Sequence, residues 1–261
     1  MSNAGAMQGS TIDRRPNYGI DSPGMVIGEA AIGSIALACA IFFPRFFGHS
    51  LRWLEIVVAV EFLALAASML VYSKSGKMAF RDAILDSIPW RGNERVLDVG
   101  CGRGLLLIGA AKRLPQGSAI GLDKWVRGAL TGNGTEAVLR NAEAEGVIAH
   151  IEVREGDARR LPFPDAAFDV VVSNFVVHEV DTPQEREQMM SEMMRVLTPG
   201  GRLALVDFIF TGQCVEILRR LGMRDARRTG IGGLSSFLGT ILMFGAFRVY
   251  LVIGSKAVTE N

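Results

Sequence analysis

An aspartate and three closely spaced glycines form the chemically most specific pattern in this sequence. Asp98 follows an apolar run, Gly100, Gly102 and Gly104 come next, and a helix-like apolar segment starts at Leu105. Glycines permit a sharp turn from a buried strand into a helix and let a ligand approach the main chain closely. The free N–H groups at such a helix start can bind a carboxylate or another polar ligand group. A dinucleotide fold would use Gly-x-Gly-x-x-Gly, so the early third glycine argues against a nicotinamide-dependent oxidoreductase.

Further polar side chains follow the ends of other predicted strands, where ligands bind in open α/β sheets. Asp123 lies about 20 residues after the glycines, at the position of a ribose-binding acid, because a carboxylate can accept both ribose hydroxyls. Asp157 closes the next strand and could accept from an adenine amino group, and Asn174 closes the one after. His178 is the candidate general base. Its structural alternative is to cap or pack against the start of a helix.

Alternating strands and helices must position these residues. From residue 78 onward, apolar runs alternate with amphipathic segments, which predicts an α/β domain with a mostly parallel, two-sided sheet. The predicted strands span 94–99, 118–122, 150–155, 168–173, 201–208, 224–229 and 247–254. The predicted helices span 79–88, 105–114, 135–145, 183–197 and 213–221.

Two segments of this domain leave alternatives open. The apolar, glycine-rich stretch at 231–246 is expected to be a loop or short helix that precedes an edge strand, and its alternative is a third membrane helix. The glycine-rich insertion at 125–135 could close over a bound ligand or could be a simple surface loop.

Two apolar stretches precede the α/β domain. They span 25–43 and 53–72, and about 20 residues suffice for a helix to cross a hydrocarbon core of ~30 Å. The connector between them contains a proline, basic residues and aromatics, which predicts a helical hairpin in the membrane. One alternative is a pair of helices that dock on the domain without spanning, which Glu61 favours because a mid-bilayer carboxylate is costly. A second alternative is a lipoprotein site at Cys39.

The composition excludes several classes of protein. The 261 residues carry 28 Lys and Arg against 27 Asp and Glu, so no overall field attracts nucleic acid, and no nucleic-acid partner is expected. The three scattered cysteines argue against a disulfide framework, and the histidines and cysteines lack metal-ligand spacing, so no metal site is expected. A hydrophobic fraction of 49% is high for a soluble enzyme.

The patterns along the chain divide it into three parts. They are a flexible tail (1–24), an apolar hairpin (25–73) and an α/β domain (78–261).

Taken together, the motifs resemble those of the class I S-adenosylmethionine-dependent methyltransferases. Residues 97–104 look like the first motif of that family, and residues 161–169 and 195–201 are similar to later ones. The similarity is greatest to the branch that acts on small and lipid-like molecules, including quinone and phospholipid methyltransferases. The resemblance implies a Rossmann-like, mostly parallel seven-stranded sheet preceded by the α-helical hairpin, with S-adenosyl-L-methionine as methyl donor.

The resemblance also implies a set of cofactor-binding residues. They are Asp98, Gly100, Cys101, Gly102, Gly104, Asp123, Lys124, Trp125, Asp157, Ala158 and Asn174. Asp98 and the glycine loop would hold the methionine part, Asp123 the ribose, and Asp157 with Ala158 the adenine. For Trp125, stacking on the adenine and packing against a helix are equally open.

The resulting functional hypothesis is a membrane-anchored methyltransferase. The hairpin, residues 25–72, would hold the chain in an inner or plasma membrane, and cofactor supply places the catalytic domain in the cytoplasm. The acceptor would be a small, apolar or lipid-like molecule. Two alternatives remain: a soluble small-molecule acceptor, and a non-catalytic membrane module that binds S-adenosylmethionine.

Overall fold

The predicted alternation of strands and helices forms one seven-stranded sheet in the computed structural model. The structure describes residues 15–42, 48–126, 130–231 and 248–258, with side chains of the second helix described from Arg52 onward. The strand order is β3-β2-β1-β4-β5-β7-β6, in which β7 runs antiparallel to both neighbours and the other pairs are parallel. The expectation of a mostly parallel α/β sheet is confirmed.

The strands and helices follow the predicted boundaries closely. The strands are β1 Arg95–Val99, β2 Ser118–Asp123, β3 Ile151–Glu155, β4 Phe168–Asn174, β5 Leu197–Asp207, β6 Met223–Gly230 and β7 Tyr250–Lys256. The helices are α1 Pro23–Phe42, α2 Gly48–Val71, α3 Lys77–Leu85, α4 Leu105–Ala111, α5 Thr135–Ala144, α6 Pro183–Val196 and α7 Thr211–Arg220. Helix α6 begins with the capping box of Thr182 and Glu185, which satisfies free N–H groups at its first turn.

Hydrophobic layers cover both faces of the sheet. Successive side chains of a strand point to opposite faces, so Val96 and Val170 pack on the α4 side while Leu97 and Val171 pack on the α6 side. Four buried methionines of α6 fill the second layer. The sequences of the central strands β1 and β4 are therefore nearly continuous apolar runs, because neither face of the sheet is exposed to water at these strands.

The last strand does not lie at the sheet edge, contrary to the sequence prediction. β7 inserts between β5 and β6, and its Val252 is fully buried opposite Leu205. The outermost position belongs to β6, which carries Arg224 and Arg227 at exposed positions. Charged side chains suit an edge because they discourage pairing with other chains, whereas the apolar run of β7 requires cover on both faces. The stretch predicted at 231–246 lies outside the described residues, apart from Ile231.

Helices α1 and α2 form the predicted hairpin. The buried residues of α1 are Val26, Gly33 and Ala40, spaced every seven residues along one side of the helix. A Cβ at Gly33 would lie 2.8 Å from Cγ of Leu63 in α2, so the glycine permits a close approach of the two helices. Both helices are long and apolar enough to cross a membrane, a property of length and composition alone.

The outward faces of this hairpin are apolar and exposed. Ile27 is 69% exposed on α1 and Val60 is 62% exposed on α2. A core helix of a soluble protein would be mostly buried, whereas less than a fifth of each apolar segment is buried here. Helix α2 continues through a π-helical turn, Tyr72–Gly76, directly into α3, so helical structure bridges the predicted boundary at residues 73–78.

Residues 15–22 pack on the α/β domain, which corrects the prediction of a flexible tail for this part of 1–24. Tyr18 is 8% exposed, and its hydroxyl donates to Glu145. The amide side chain of Asn141 accepts from the N–H of Asn17 and donates to its carbonyl. Small polar residues suggested a solvated tail, but backbone hydrogen bonds to the domain hold it. We call residues 15–22 the strap.

Candidate active site

One cavity of about 1080 Å³ opens at the carboxyl ends of the parallel strands. All of the predicted site residues except Gly104 and Trp125 line this cavity. Parallel strands end at the same edge of a sheet, which explains how residues from β1, β2, β3 and β4 converge. The sequence-based grouping of these side chains agrees with the geometry, while their roles toward a ligand stay predictions.

The glycine loop is shaped by a close contact and by an acid. Gly100 has a φ of +76°, and a Cβ there would lie 2.1 Å from Cγ2 of Val176, so no larger residue fits. The carboxylate of Asp123 accepts from the N–H of Gly102 at 2.7 Å and from the N–H of Trp125 at 2.6 Å. Asp123 therefore fixes the loop conformation besides facing the cavity.

Asp98 presents a buried oxygen that has no partner. Its Oδ2 accepts from the N–H of Leu107 at 2.8 Å, whereas Oδ1 has no hydrogen-bond partner in the described chain. Burial, only partly offset by the Leu107 bond and reinforced by the charge of Asp123, raises the pKa of Asp98 to about 8. Oδ1 of Asn174 is likewise buried without a partner. Two unsatisfied acceptors on one cavity fit a ligand ammonium group, because buried polar atoms are normally paired.

Asp157 is held by two cations. Arg159 donates to both carboxylate oxygens, and Lys124 lies 3.2 Å from Oδ2. Hydrogen bonds from Arg159 hold the pKa of Asp157 well below its usual range. Arg159 also pairs with Glu185 at the start of α6. The sequence reasoning missed Arg159, whose only signal was its position two residues after a predicted site acid.

Trp125 and Gly104 support the loop from outside the cavity lining. The indole N–H of Trp125 donates to the carbonyl of Gly102 at 3.0 Å, and its ring packs on the hydrophobic layer beside α4. This arrangement favours the packing alternative over stacking on an adenine. Gly104 has a φ of +86°, accommodated by glycine without strain, and immediately precedes α4.

His178 is oriented by a buried carboxylate. Its ring Nδ1 and its backbone N–H each lie 3.2 Å from Oδ2 of Asp207, the last residue of β5. Burial lowers the pKa of His178, but the hydrogen bond and the charge of Asp207 outweigh it, so that the pKa is raised above 6.5. The Phe208 ring packs against the imidazole with centroids 4.8 Å apart. The sequence reasoning missed Asp207, although an acid at a strand end was the signal used for Asp98 and Asp123.

The cavity also extends to the strap and the hairpin, which the sequence did not predict. Tyr18 and Asp21 of the strap line it, together with Glu29 of α1 and Met69 of α2. Lys77 anchors the strap, because its ammonium donates to the carbonyls of Tyr18 and Gly19 and lies 2.9 Å from Asp21. One cavity thus joins the glycine loop to both helices of the hairpin.

Comparisons with known proteins identify relatives of the α/β domain. Residues 97–205 match the model of a family described as "Methyltransferase domain". An uncharacterized methyltransferase of Mycobacterium bovis is 35% identical over 128 residues, which are 49% of this chain and 57% of the relative. A ubiquinone/menaquinone biosynthesis C-methyltransferase of Dinoroseobacter shibae is 36% identical over 129 residues, which are 49% of this chain and 48% of the relative.

A solved structure shows the same fold. The crystal structure of an S-adenosylmethionine-dependent methyltransferase from Aquifex aeolicus superposes with a TM-score of 0.54 at 18% identity and covers 73% of this chain and 97% of that one. The chain spans about half the length of the curated relatives it matches. The family match covers the glycine loop and the ends of strands β1 to β4, and the hairpin lies outside it.

Proposed function

We propose that this chain carries a class I S-adenosylmethionine-dependent methyltransferase domain and that it transfers the methyl group of S-adenosyl-L-methionine to a small acceptor held in the cavity. We further propose that the acceptor is apolar or lipid-like and reaches the site from a membrane. The observation that carries this proposal is the single cavity shared by the glycine loop and by both apolar helices.

The chain's own residues fit the cofactor that the family implies. Asp98 and Asn174 offer the unpartnered acceptors that would hold the ammonium of the methionine part. Asp123 would accept from the ribose hydroxyls, and Asp157 and Ala158 would frame the adenine. When bound, S-adenosylmethionine supplies an electrophilic methyl group, so orientation and exclusion of water can provide most of the acceleration.

His178 would serve as general base when the acceptor must lose a proton. The Asp207 carboxylate engages Nδ1, which leaves Nε2 as the nitrogen that can take the proton. The carboxylate also stabilises the imidazolium that forms, because it is fully buried and close. Asp207 acts here as a positioning residue, since it touches the histidine rather than the acceptor.

The surroundings of the cavity support an apolar acceptor. Met25, Leu65 and Met69 of the hairpin contribute apolar side chains to the cavity lining. The exposed apolar faces of α1 and α2 would be covered by lipid, with the α/β domain on the cytoplasmic side where the cofactor is made. Two relatives are named as a ubiquinone/menaquinone biosynthesis C-methyltransferase and a demethylmenaquinone methyltransferase. These names add support to the proposal of an apolar acceptor.

The test is an acceptor screen with the full chain in lipid nanodiscs. Formation of S-adenosylhomocysteine is measured with long-chain quinols and phospholipids and, separately, with water-soluble phenols and amines. We expect turnover with members of the first group, at kcat/KM values about tenfold or more above their short-chain homologues, since each buried CH₂ contributes about 0.8 kcal/mol. Turnover confined to soluble acceptors would contradict the lipid-like acceptor, and cofactor binding without any turnover would indicate a non-catalytic module.

A further inference from the structure

The hairpin end of the cavity contains a carboxylate without a partner. Glu29 lies in α1 and lines the cavity, and its Oε2 is buried without a hydrogen-bond partner in the described chain. Met25, one helical turn before Glu29, and Leu65 and Met69 of α2 add apolar side chains to the lining of the same cavity. A buried carboxylate oxygen among apolar groups is costly unless a donor or a cation meets it.

No neighbouring donor of the described chain satisfies this oxygen. Lys77, a buried cation that also lines the cavity, is already engaged by Asp21 and by two strap carbonyls. The hydroxyl of Ser68, which lines the same cavity on α2, donates to the carbonyl of Leu65 within its own helix. Glu29 therefore faces the cavity with its hydrogen-bonding capacity unused.

We propose that Glu29 selects the methyl acceptor by accepting a hydrogen bond from a hydroxyl or ammonium group on an amphiphile that occupies the hairpin end of the cavity. This inference rests on the proposed function, because it takes the cavity to be the acceptor site. The polar residues at the strand ends are assigned to the cofactor, and Asp21 of the strap is paired with Lys77, so the part of the cavity lined by Glu29 and the apolar hairpin residues is left for the acceptor. Its class is an amphiphile with a hydrogen-bond donor, and an amphiphile with a carboxylate head is excluded by charge repulsion.

Saturation photolabelling tests this without requiring turnover. The full chain in nanodiscs is incubated with dodecyl probes, each of which carries a photoreactive diazirine in its tail. The head group of the probe is an amine, a phenol or a carboxylate. After irradiation, the labelled residues of α1 and α2 are identified by mass spectrometry. We expect saturable labelling at cavity-facing Leu65 and Met69, with half-saturation about tenfold lower for the amine and phenol heads than for the carboxylate head. Outward-facing Ile27 and Val60 are expected to be labelled without saturation.

Two variants make the assignment specific to Glu29. Glu29→Gln should remove the tenfold discrimination against the carboxylate head, while Glu61→Gln, which changes a carboxylate of α2 outside the cavity lining, should retain it. An unchanged affinity for S-adenosylhomocysteine shows that each variant is folded. Equal half-saturation of donor and carboxylate heads in the unmodified chain, or persistent discrimination in Glu29→Gln, would overturn the proposal. Selective labelling combined with failure of the acceptor screen would instead contradict the proposed function alone.

Discussion

The protonation state of Asp98 is expected to differ between the free site and the cofactor-bound site. With a pKa of about 8, its carboxyl group is mostly protonated at pH 7 in the free protein, because burial disfavours the charge. A ligand ammonium beside Oδ1 would favour the carboxylate and lower that pKa. Binding of S-adenosylmethionine at pH 7 is therefore expected to release about one proton, and above about pH 9 the release should vanish because the free group is already ionised.

Calorimetry in buffers of different ionisation enthalpy measures this release. Asp98→Asn should abolish it and weaken cofactor binding about 30-fold or more, since one partner of a buried charge pair is removed. Asp165→Asn, which changes an exposed acid paired with Arg195, serves as the control. Equal proton release from the unmodified chain and from Asp98→Asn would show that another group titrates.

The His178–Asp207 pair predicts a pH dependence of the chemical step. A base must be neutral to accept a proton, so kcat should fall as pH decreases through the pKa of His178, which lies above 6.5. His178→Gln should lower kcat by about 10²–10⁴-fold with the cofactor affinity unchanged. Asp207→Asn should shift the acidic limb to lower pH, because the negative charge that raises the pKa of His178 is lost. An acidic limb that stays in place in Asp207→Asn would contradict the assignment.

At the level of elements, Lys77 joins the strap to the end of the hairpin. Its ammonium is nearly fully buried and meets Asp21 and two strap carbonyls at the first residue of α3. Removing it leaves those acceptors unpaired, so Lys77→Ala should release the strap locally. Hydrogen exchange at the amides of residues 17–21 should accelerate at least tenfold, whereas Lys74→Ala, an exposed lysine one turn earlier, should leave it unchanged. Equal exchange in both variants would show that the strap is held elsewhere.

The elements also show which features the sequence could predict. Continuous apolar runs placed the strands around Leu97 and Val171 correctly, because central strands are buried on both faces. The order of β6 and β7 was wrong, since strand order beyond β5 depends on pairing between distant segments rather than on local pattern. The sequence also did not predict that Tyr18 packs on the domain, because the strap is held by long-range hydrogen bonds from Asn141 and Lys77.

The site shows the same division between local and long-range information. Asp98 was predictable because it lies just before the glycine turn, and Asp123 because it ends the next strand about 20 residues after the glycines. Asp207 ends β5 in the same way, yet its role appears only once folding brings His178 to it from a separate loop. The sequence could not predict the role proposed for Glu29, because that role depends on which side of α1 faces the cavity.

At the scale of the whole molecule, the hairpin and the α/β domain are built as one continuous unit. Helix α2 passes through the π-helical turn into α3, and α3 packs on α4, the helix that follows the glycine loop. Gly109 of α4 allows this contact, because a Cβ there would lie 2.5 Å from Cδ of Arg81. The apolar helices are thereby held at a defined position beside the edge of the sheet where the cavity opens.

The most direct test of this account follows the methyl group itself. Membranes that contain the full chain are incubated with S-adenosylmethionine labelled in its methyl group, and the label is partitioned between an organic lipid extract, the aqueous phase and protein. We predict that the label enters the organic extract with the unmodified chain and falls about 30-fold or more with Asp98→Asn when the cofactor concentration is below its Kd. Label that appears in soluble metabolites or in protein, while the organic extract stays at background, would contradict the central claim.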